Sequence, residues 1–155
     1  TTARMRAAVV SELKSKKYDV VIAVAASADL MIENPYSYKV STHKLHSLDL
    51  KLKPTAKIID QVKRISSKTF LVAFRAEYKL PEKDLIESAY KRLREADADL
   101  IVANDVGKEG VGFRTETNEV LIIDKDKNVI HVSLSHKREI AKKILNVVTE
   151  RMKPK

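Results

Sequence analysis

Apolar residues follow two rhythms along this chain. Three segments are apolar almost without a break: "YDVVIAVA" (18–25), "TFLVAF" (69–74) and "DLIVAND" (99–105), the last ending in two polar residues. Continuous runs of this length suit parallel strands buried on both faces. Elsewhere the apolar positions repeat at helical spacing: Met5, Ala8, Val9 and Leu13; Ile58, Ile59, Val62 and Ile65; Leu85, Ile86, Ala89 and Leu93; Ile140, Ile144, Leu145 and Val148. Each set makes one stripe on a helix. An N-terminal Thr caps the first helix, Pro54-Thr55 opens the second, Pro81 stands near the start of the third and Ser135 caps the last. "LDLKLK" alternates with period two, as a strand with one wet face does. "EVLIID" and "NVIHVSL", joined by Lys125-Asp126-Lys127, form an antiparallel hairpin.

Strands alternating with amphipathic helices predict an α/β layered domain with a mainly parallel sheet, residues 1–155 forming one domain. No repeat, low-complexity segment or linker interrupts it. Periodicity fails only between Asp29 and Ser47, where "DLMIENPYSYKVSTHKLHS" reads as a long functional flap at about 29–47.

Composition narrows the partners. At 155 residues with 44% hydrophobic and 33% charged residues, the chain is globular and long enough for a substantial core. No apolar run approaches a bilayer span and no signal-peptide pattern opens the chain, so no membrane partner is expected. Without Cys there is neither a disulfide framework nor thiolate metal ligation, which fits a cytoplasmic protein. A net charge of +9 favours an anionic partner, a phosphorylated small molecule or a nucleic acid.

Parallel sheets bind ligands outside the carboxyl ends of their strands. Asp29, the residues after Phe74 and the pair Asn104-Asp105 all belong to that edge. Asn104 offers an amide and Asp105 a carboxylate to a ligand, or the pair serves as an Asx turn into Gly107. Asp29 either meets a ribose hydroxyl or metal, or caps a loop. Ala25 and Ala26 permit close backbone approach to a flat ligand, or reflect tight packing. Lys39 and Lys44, in the flap, are either solvated or a phosphate clamp. Lys91, Arg92 and Arg94 belong mostly to a solvated helix face. His43 and His46 lack metal-ligand geometry, and no metal-binding residue is assigned. Walker, GxGxxG and GxSxG patterns are absent.

Together "AVAASAD", "LDLKLKPTAKIID", "FLVAFRAEY", "AYKRLREADADLIVANDVGKEGVGF", "NEVLIID" and "SHKREIAKKIL" resemble the phosphopantothenate–cysteine ligase domain of coenzyme A biosynthesis in its bacterial and archaeal form. The elements occur in the family's order over nearly the whole chain. The resemblance implies a Rossmann-like three-layer α/β fold and a homodimer with flap segments at the dimer contact. It also implies ligation of 4′-phosphopantothenate to L-cysteine at the expense of CTP with Mg²⁺. In that reaction the pantothenate carboxylate attacks the α-phosphate, and the cysteine amine then displaces CMP from the acyl-cytidylate.

Carried onto matching positions, the resemblance assigns the backbone of Ala23, Val24 and Ala25 to cytosine and Asp29 to the nucleotide. Ala56, Lys57, Ile58 and Ile59 line the nucleotide site, Phe74 lies near the base, and Arg92 occupies the first of two family lysine positions. Lys39, ten residues after Asp29, matches the flap lysine, with Lys44 in "HKLHS" as its rival; Lys39 and Asn104 make up the catalytic set. The chain departs from the pattern at Ala73, where the family has Gly, and at Ala96, the second lysine position. The family's opening "GGT" strand–loop and Asn-x-Ser-Ser-Gly loop are not found ahead of "TTARM", so this piece is expected to be inactive alone. The alternative is a basic non-catalytic module binding nucleotide or nucleic acid, which the 5% aromatic content disfavours for nucleic acid.

Overall fold

The computed structural model describes residues 1–43 and 45–153. In chain order the elements are α1 (Thr2–Ser15), β1 (Val20–Ala23), β2 (Leu30–Ile32), β3 (Leu52–Pro54), α2 (Ile59–Ile65), β4 (Phe70–Glu77), α3 (Glu82–Ala96), β5 (Leu100–Asp105), β6 (Thr117–Asp124), β7 (Val129–His136) and α4 (Lys137–Met152). Five strands form one sheet in the order β1-β4-β5-β6-β7. β1, β4 and β5 run parallel, with Ala23 beside Ala73 and Phe74 beside Val102. β6 and β7 close the sheet as an antiparallel hairpin. The result is the expected Rossmann-like α/β arrangement.

Strand alternation sorts the core into two clusters. Leu71, Ala73, Ile101, Ala103, Leu121 and Ile123 point to one face, where they meet Leu13 of α1, Val62 of α2 and Leu85, Ala89 and Leu93 of α3. Val72, Leu100, Val102, Val120 and Ile122 point to the other, under Ile140, Ile144, Val147 and Val148 of α4. Helices therefore cover both faces. Leu71, Leu93 and Ile101 are at most 1% exposed. Burial at that level stabilises the fold by about 1.5–3 kcal/mol per side chain.

Four expectations need correction. β1 is an edge of the sheet rather than a doubly covered strand, and Ile22 and Val24 beside it are exposed. An apolar run cannot distinguish an edge from a centre, because both offer the same residues. Pro54 ends β3 and α2 starts only at Ile59, with Ile58 at its N-cap. Ser135 does not cap α4: its hydroxyl donates to the Ser133 carbonyl at 2.8 Å, and His136 holds the N-cap position without a side-chain bond. Thr1, by contrast, accepts from the Arg4 N–H as an N-cap.

The fourth concerns "LDLKLK". Only Leu52–Pro54 is extended, and it pairs with Leu30–Ile32 from the segment read as a flap. This small antiparallel ribbon stands apart from the main sheet. Thr55 N–H to Asp29 carbonyl and Glu33 N–H to Lys51 carbonyl, both 2.8 Å, extend its ladder at either end.

Candidate functional site

The carboxyl ends of β1, β4 and β5 lie at one edge of the sheet, as parallel pairing requires. Three cationic side chains from three different segments gather on the α2–α3 side of that edge, each held by a carboxylate. Lys57, just before α2, bonds Asp29 at 2.5 Å. Arg92 of α3 bonds Asp60 in the first turn of α2 at 2.5 Å and Glu95 at 3.3 Å. Arg75 of β4 bonds Glu77 at 2.6 Å, and Glu77 also accepts from the Ser88 hydroxyl of α3 at 2.8 Å. Arg75 and Glu77 share a face because strand side chains repeat every second residue.

The groups are electrostatically one cluster. The hydrogen bond from Lys57 holds the Asp29 carboxyl below its ordinary pKa, outweighing slight burial, and the charges of Arg75 and Arg92 act in the same direction. Asp29 sits at the root of the ribbon, where the Thr55 hydroxyl also donates to the Ala28 carbonyl at 2.7 Å. The ribbon therefore leaves the body at the charged cluster.

The α4 side of the same edge is less charged. Phe74 packs partly buried against the core on that face. Asn104, next along β5 in the same facing as Val102, donates its amide to Asn118 Oδ1 at 3.3 Å. Asp105 points the other way and is buried. Its Oδ1 accepts from the Lys79 and Gly107 N–H groups at 2.7 and 2.8 Å. Asp105 thus makes the Asx-type turn that is the structural alternative to ligand contact. A side chain at 107 would run into Lys79, 2.6 Å from its Cγ, so only glycine fits there. Beyond the turn, Glu119 Oε1 binds both Lys108 at 3.0 Å and His131 at 2.8 Å, tying the glycine-containing loop to the hairpin. Lys108, then His131, lower the Glu119 pKa.

The structure brings Asp29, Lys57 and Arg92 together and places Ile58 and Ile59 at the start of α2 above them. Ala23 ends β1, and Val24, Ala25 and Ala56 are exposed around the same edge. Phe74 and Asn104 share the edge on its opposite face. Lys39 is exposed on the long loop joining β2 to β3 and, among the described residues, makes no ion pair with the cluster. Its rival Lys44 lies outside the described residues. Arg92 is 14% exposed and doubly paired, so it is not part of a solvated face.

Sequence reading set the residues after Phe74 at this edge without giving Arg75 or Glu77 a role, and it missed Ser88, Asp60 and Asn118. The R-x-E spacing at 75–77 was a usable signal, since it puts opposite charges on one face of a strand. Nothing local links Asn118 to Asn104. Among the described residues no three metal-binding side chains converge. Arginine and lysine are the residue types that bind phosphate-bearing ligands, and here a carboxylate partner orients each of them while meeting part of its charge. Among the described residues, no helix is long and apolar enough to cross a membrane.

Comparison with known proteins places the chain and its fold. A family model described as "DNA/pantothenate metabolism flavoprotein C-terminal domain" matches residues 1–152. The chain is 40% identical over 146 residues to the coenzyme A biosynthesis bifunctional protein CoaBC of Thermococcus kodakarensis, covering 93% of this chain and 34% of that protein. The chain spans about a third of the length of the curated relatives it matches. The crystal structure of the DNA/pantothenate metabolism flavoprotein from Streptococcus pneumoniae superposes with a TM-score of 0.80 at 23% identity, covering 97% of this chain and 70% of that one. A Cab2 variant in complex with phosphopantothenate-cysteine superposes with a TM-score of 0.74 at 19% identity, covering 97% and 50%. Both structural likenesses concern the fold.

Proposed function

Because the chain belongs to the DNA/pantothenate metabolism flavoprotein C-terminal domain family, we propose that it serves coenzyme A biosynthesis as a phosphopantothenate–cysteine ligase. The reaction joins the carboxylate of 4′-phosphopantothenate to the amine of L-cysteine and consumes CTP. A carboxylate oxygen attacks the α-phosphorus and pyrophosphate leaves. The cysteine nitrogen then attacks the acyl carbon, loses a proton and displaces CMP. The observation that carries this reading is the charged edge formed by Asp29–Lys57 and Arg92–Asp60 at the strand ends of a chain of this family.

In this reading the backbone of Ala23–Ala25 meets the cytosine edge and Asp29 the nucleotide. Ala56–Ile59, with Lys57 beside Asp29, lines the same site, and Phe74 lies near the base. Arg92 faces the phosphates, and Asn104, its amide oriented by Asn118, presents its remaining polar capacity to the reacting groups. Lys39 closes over the α-phosphate from the loop and stabilises charge that develops in the transition state. The nearby carboxylates already bind cations: Asp29 binds Lys57, Asp60 binds Arg92 and Glu77 binds Arg75. These carboxylates are therefore not free to hold Mg²⁺, which would be carried by the nucleotide phosphates and would supply charge neutralisation there.

The ribbon supports a homodimer. Leu30, Met31, Ile32, Leu48, Leu50 and Leu52 are all exposed on it or beside it. A run of apolar surface on an element separate from the core is suited to a second copy.

The test is to incubate the full-length protein with 4′-phosphopantothenate, L-cysteine and CTP or ATP, and to follow CMP and the amide by mass spectrometry. Amide formation that requires cysteine and prefers CTP is expected. Nucleotide turnover without amide, or an equal rate with ATP, would contradict the reading.

A further inference from the structure

Of the three cations at the charged edge, Arg75 alone keeps an open donor fork. Arg92 is 14% exposed and shared between Asp60 and Glu95. Lys57 is a single ammonium on Asp29. The Arg75 side chain is 40% exposed, and its Nε and Nη2 both donate to the same oxygen, Glu77 Oε1, at 2.6 Å. One flank of the guanidinium is thus occupied. Its distal end, Nη1 with the second proton of Nη2, has no partner among the described residues. That end has the paired, planar donors that match two oxygens of a phosphate.

The orientation is fixed from behind. Ser88 of α3 donates to the same Glu77 oxygen, so the carboxylate cannot swing away freely. Val106 N–H bonds the Glu77 carbonyl at 2.8 Å and holds the strand end itself. An arginine clamped by a carboxylate that is clamped in turn has lost rotamer freedom before any ligand arrives, which favours binding. The Arg75 charge already reaches Asp29, which sets it beside the residues of the proposed site.

We propose that Arg75, oriented by Glu77 and Ser88, binds a phosphate group of the substrate through its free Nη1–Nη2 end. The ligand class is a phosphate monoester or phosphoanhydride, and the edge admits two sources, a nucleoside triphosphate or 4′-phosphopantothenate. This inference rests on the ligase reading for the identity of those sources and on geometry alone for the phosphate contact.

Isothermal titration calorimetry with inorganic pyrophosphate, CTP and 4′-phosphopantothenate tests it on the unaltered protein and on Arg75→Ala, Arg75→Lys, Glu77→Gln and Lys143→Ala. Lys143, exposed on α4 across the sheet, controls for the loss of one positive charge. Arg75→Ala should weaken one or more ligands by about 10- to 100-fold, the range for a charge-assisted contact. Arg75→Lys keeps an ion pair with Glu77 but not the fork. It should recover little of that loss, and it decides the matter if the alanine variant does not fold. Glu77→Gln should fall between the unaltered protein and Arg75→Ala.

A loss confined to CTP and pyrophosphate assigns the contact to the nucleotide. A loss confined to 4′-phosphopantothenate assigns it to that phosphate. Affinities that match the unaltered protein, or that fall no further than in Lys143→Ala, overturn the inference while leaving the ligase reading intact. Arg75-dependent pyrophosphate binding without binding of either substrate would keep the contact and remove the ligase reading. Binding of none of the three would remove both.

Discussion

Replacing Asp99 by Asn should destabilise the protein without touching the candidate site. Asp99 lies just before β5, at the opposite end of the sheet from the candidate site. Its Oδ2 accepts from Lys63 at 2.6 Å and from the Leu71 N–H at 2.8 Å, and its Oδ1 from Lys125 at 3.0 Å. The Asp99 and Lys63 side chains are only 19% and 11% exposed. Removing one partner of a fully buried pair costs about 3–5 kcal/mol. Here Lys125 keeps Asp97 at 3.1 Å and Lys63 keeps the Ser67 carbonyl at 3.5 Å, so the expected loss is smaller, about 2–3 kcal/mol. For a chain of this length that is a fall in Tm of about 4–12 °C.

The pH dependence identifies the cause. Burial opposes ionisation of Asp99, but Lys63, the Leu71 N–H and Lys125 outweigh it and lower the carboxyl pKa. A depressed pKa gives stability that is complete above the unfolded value of about 3.9 and is lost as pH falls through the folded one. The difference between unaltered protein and Asp99→Asn should therefore be full at pH 7 and shrink below about pH 4. Urea denaturation followed by circular dichroism at both pH values measures it. A loss under about 0.5 kcal/mol, or one that is the same at pH 7 and pH 3, would refute the argument that the carboxylate charge anchors this end of the sheet.

Three further outcomes are expected. Lys39→Gln in the full-length protein should lower kcat by about 100-fold while CTP affinity changes little, and Lys39→Arg should rescue poorly; single-turnover formation of the acyl-cytidylate measures both. Met31→Glu or Leu52→Glu should convert a dimer to a monomer in light scattering, because each places a charge on the exposed apolar ribbon; a dimer of unchanged mass would locate the interface elsewhere. Asp124→Ala should cost about 2 kcal/mol in denaturant titrations, because this buried carboxylate receives the Asp126 and Asn128 N–H groups of the hairpin turn and Arg151 of α4 at 2.5 Å.

The amino-acid sequence by itself determined the elements whose cause is local. The stripes of α1, α3 and α4, the strands at 70–77 and 100–105, and the hairpin of β6 and β7 follow from periodicity and turn residues, which act over a few positions. The ordered motifs likewise placed the chain in its family. Tertiary structure decided whatever depends on neighbours far along the chain. "VVIA" looks the same at an edge as at a centre, and only the sheet order exposes Ile22. The pairing of "LMI" with "LKP" joins two three-residue strands across a long loop, too short a pattern to announce itself. Asp105 became a turn residue and Asn104 stayed on the α4 side of the candidate edge because adjacent strand positions face opposite ways. The contact of Lys57 with Asp29 arises only when β2 and β3 pair, and that of Ser88 with Glu77 only when α3 packs against β4. Such charge pairs are fixed by distances between elements, and distance in space is what a linear pattern of residue types does not contain.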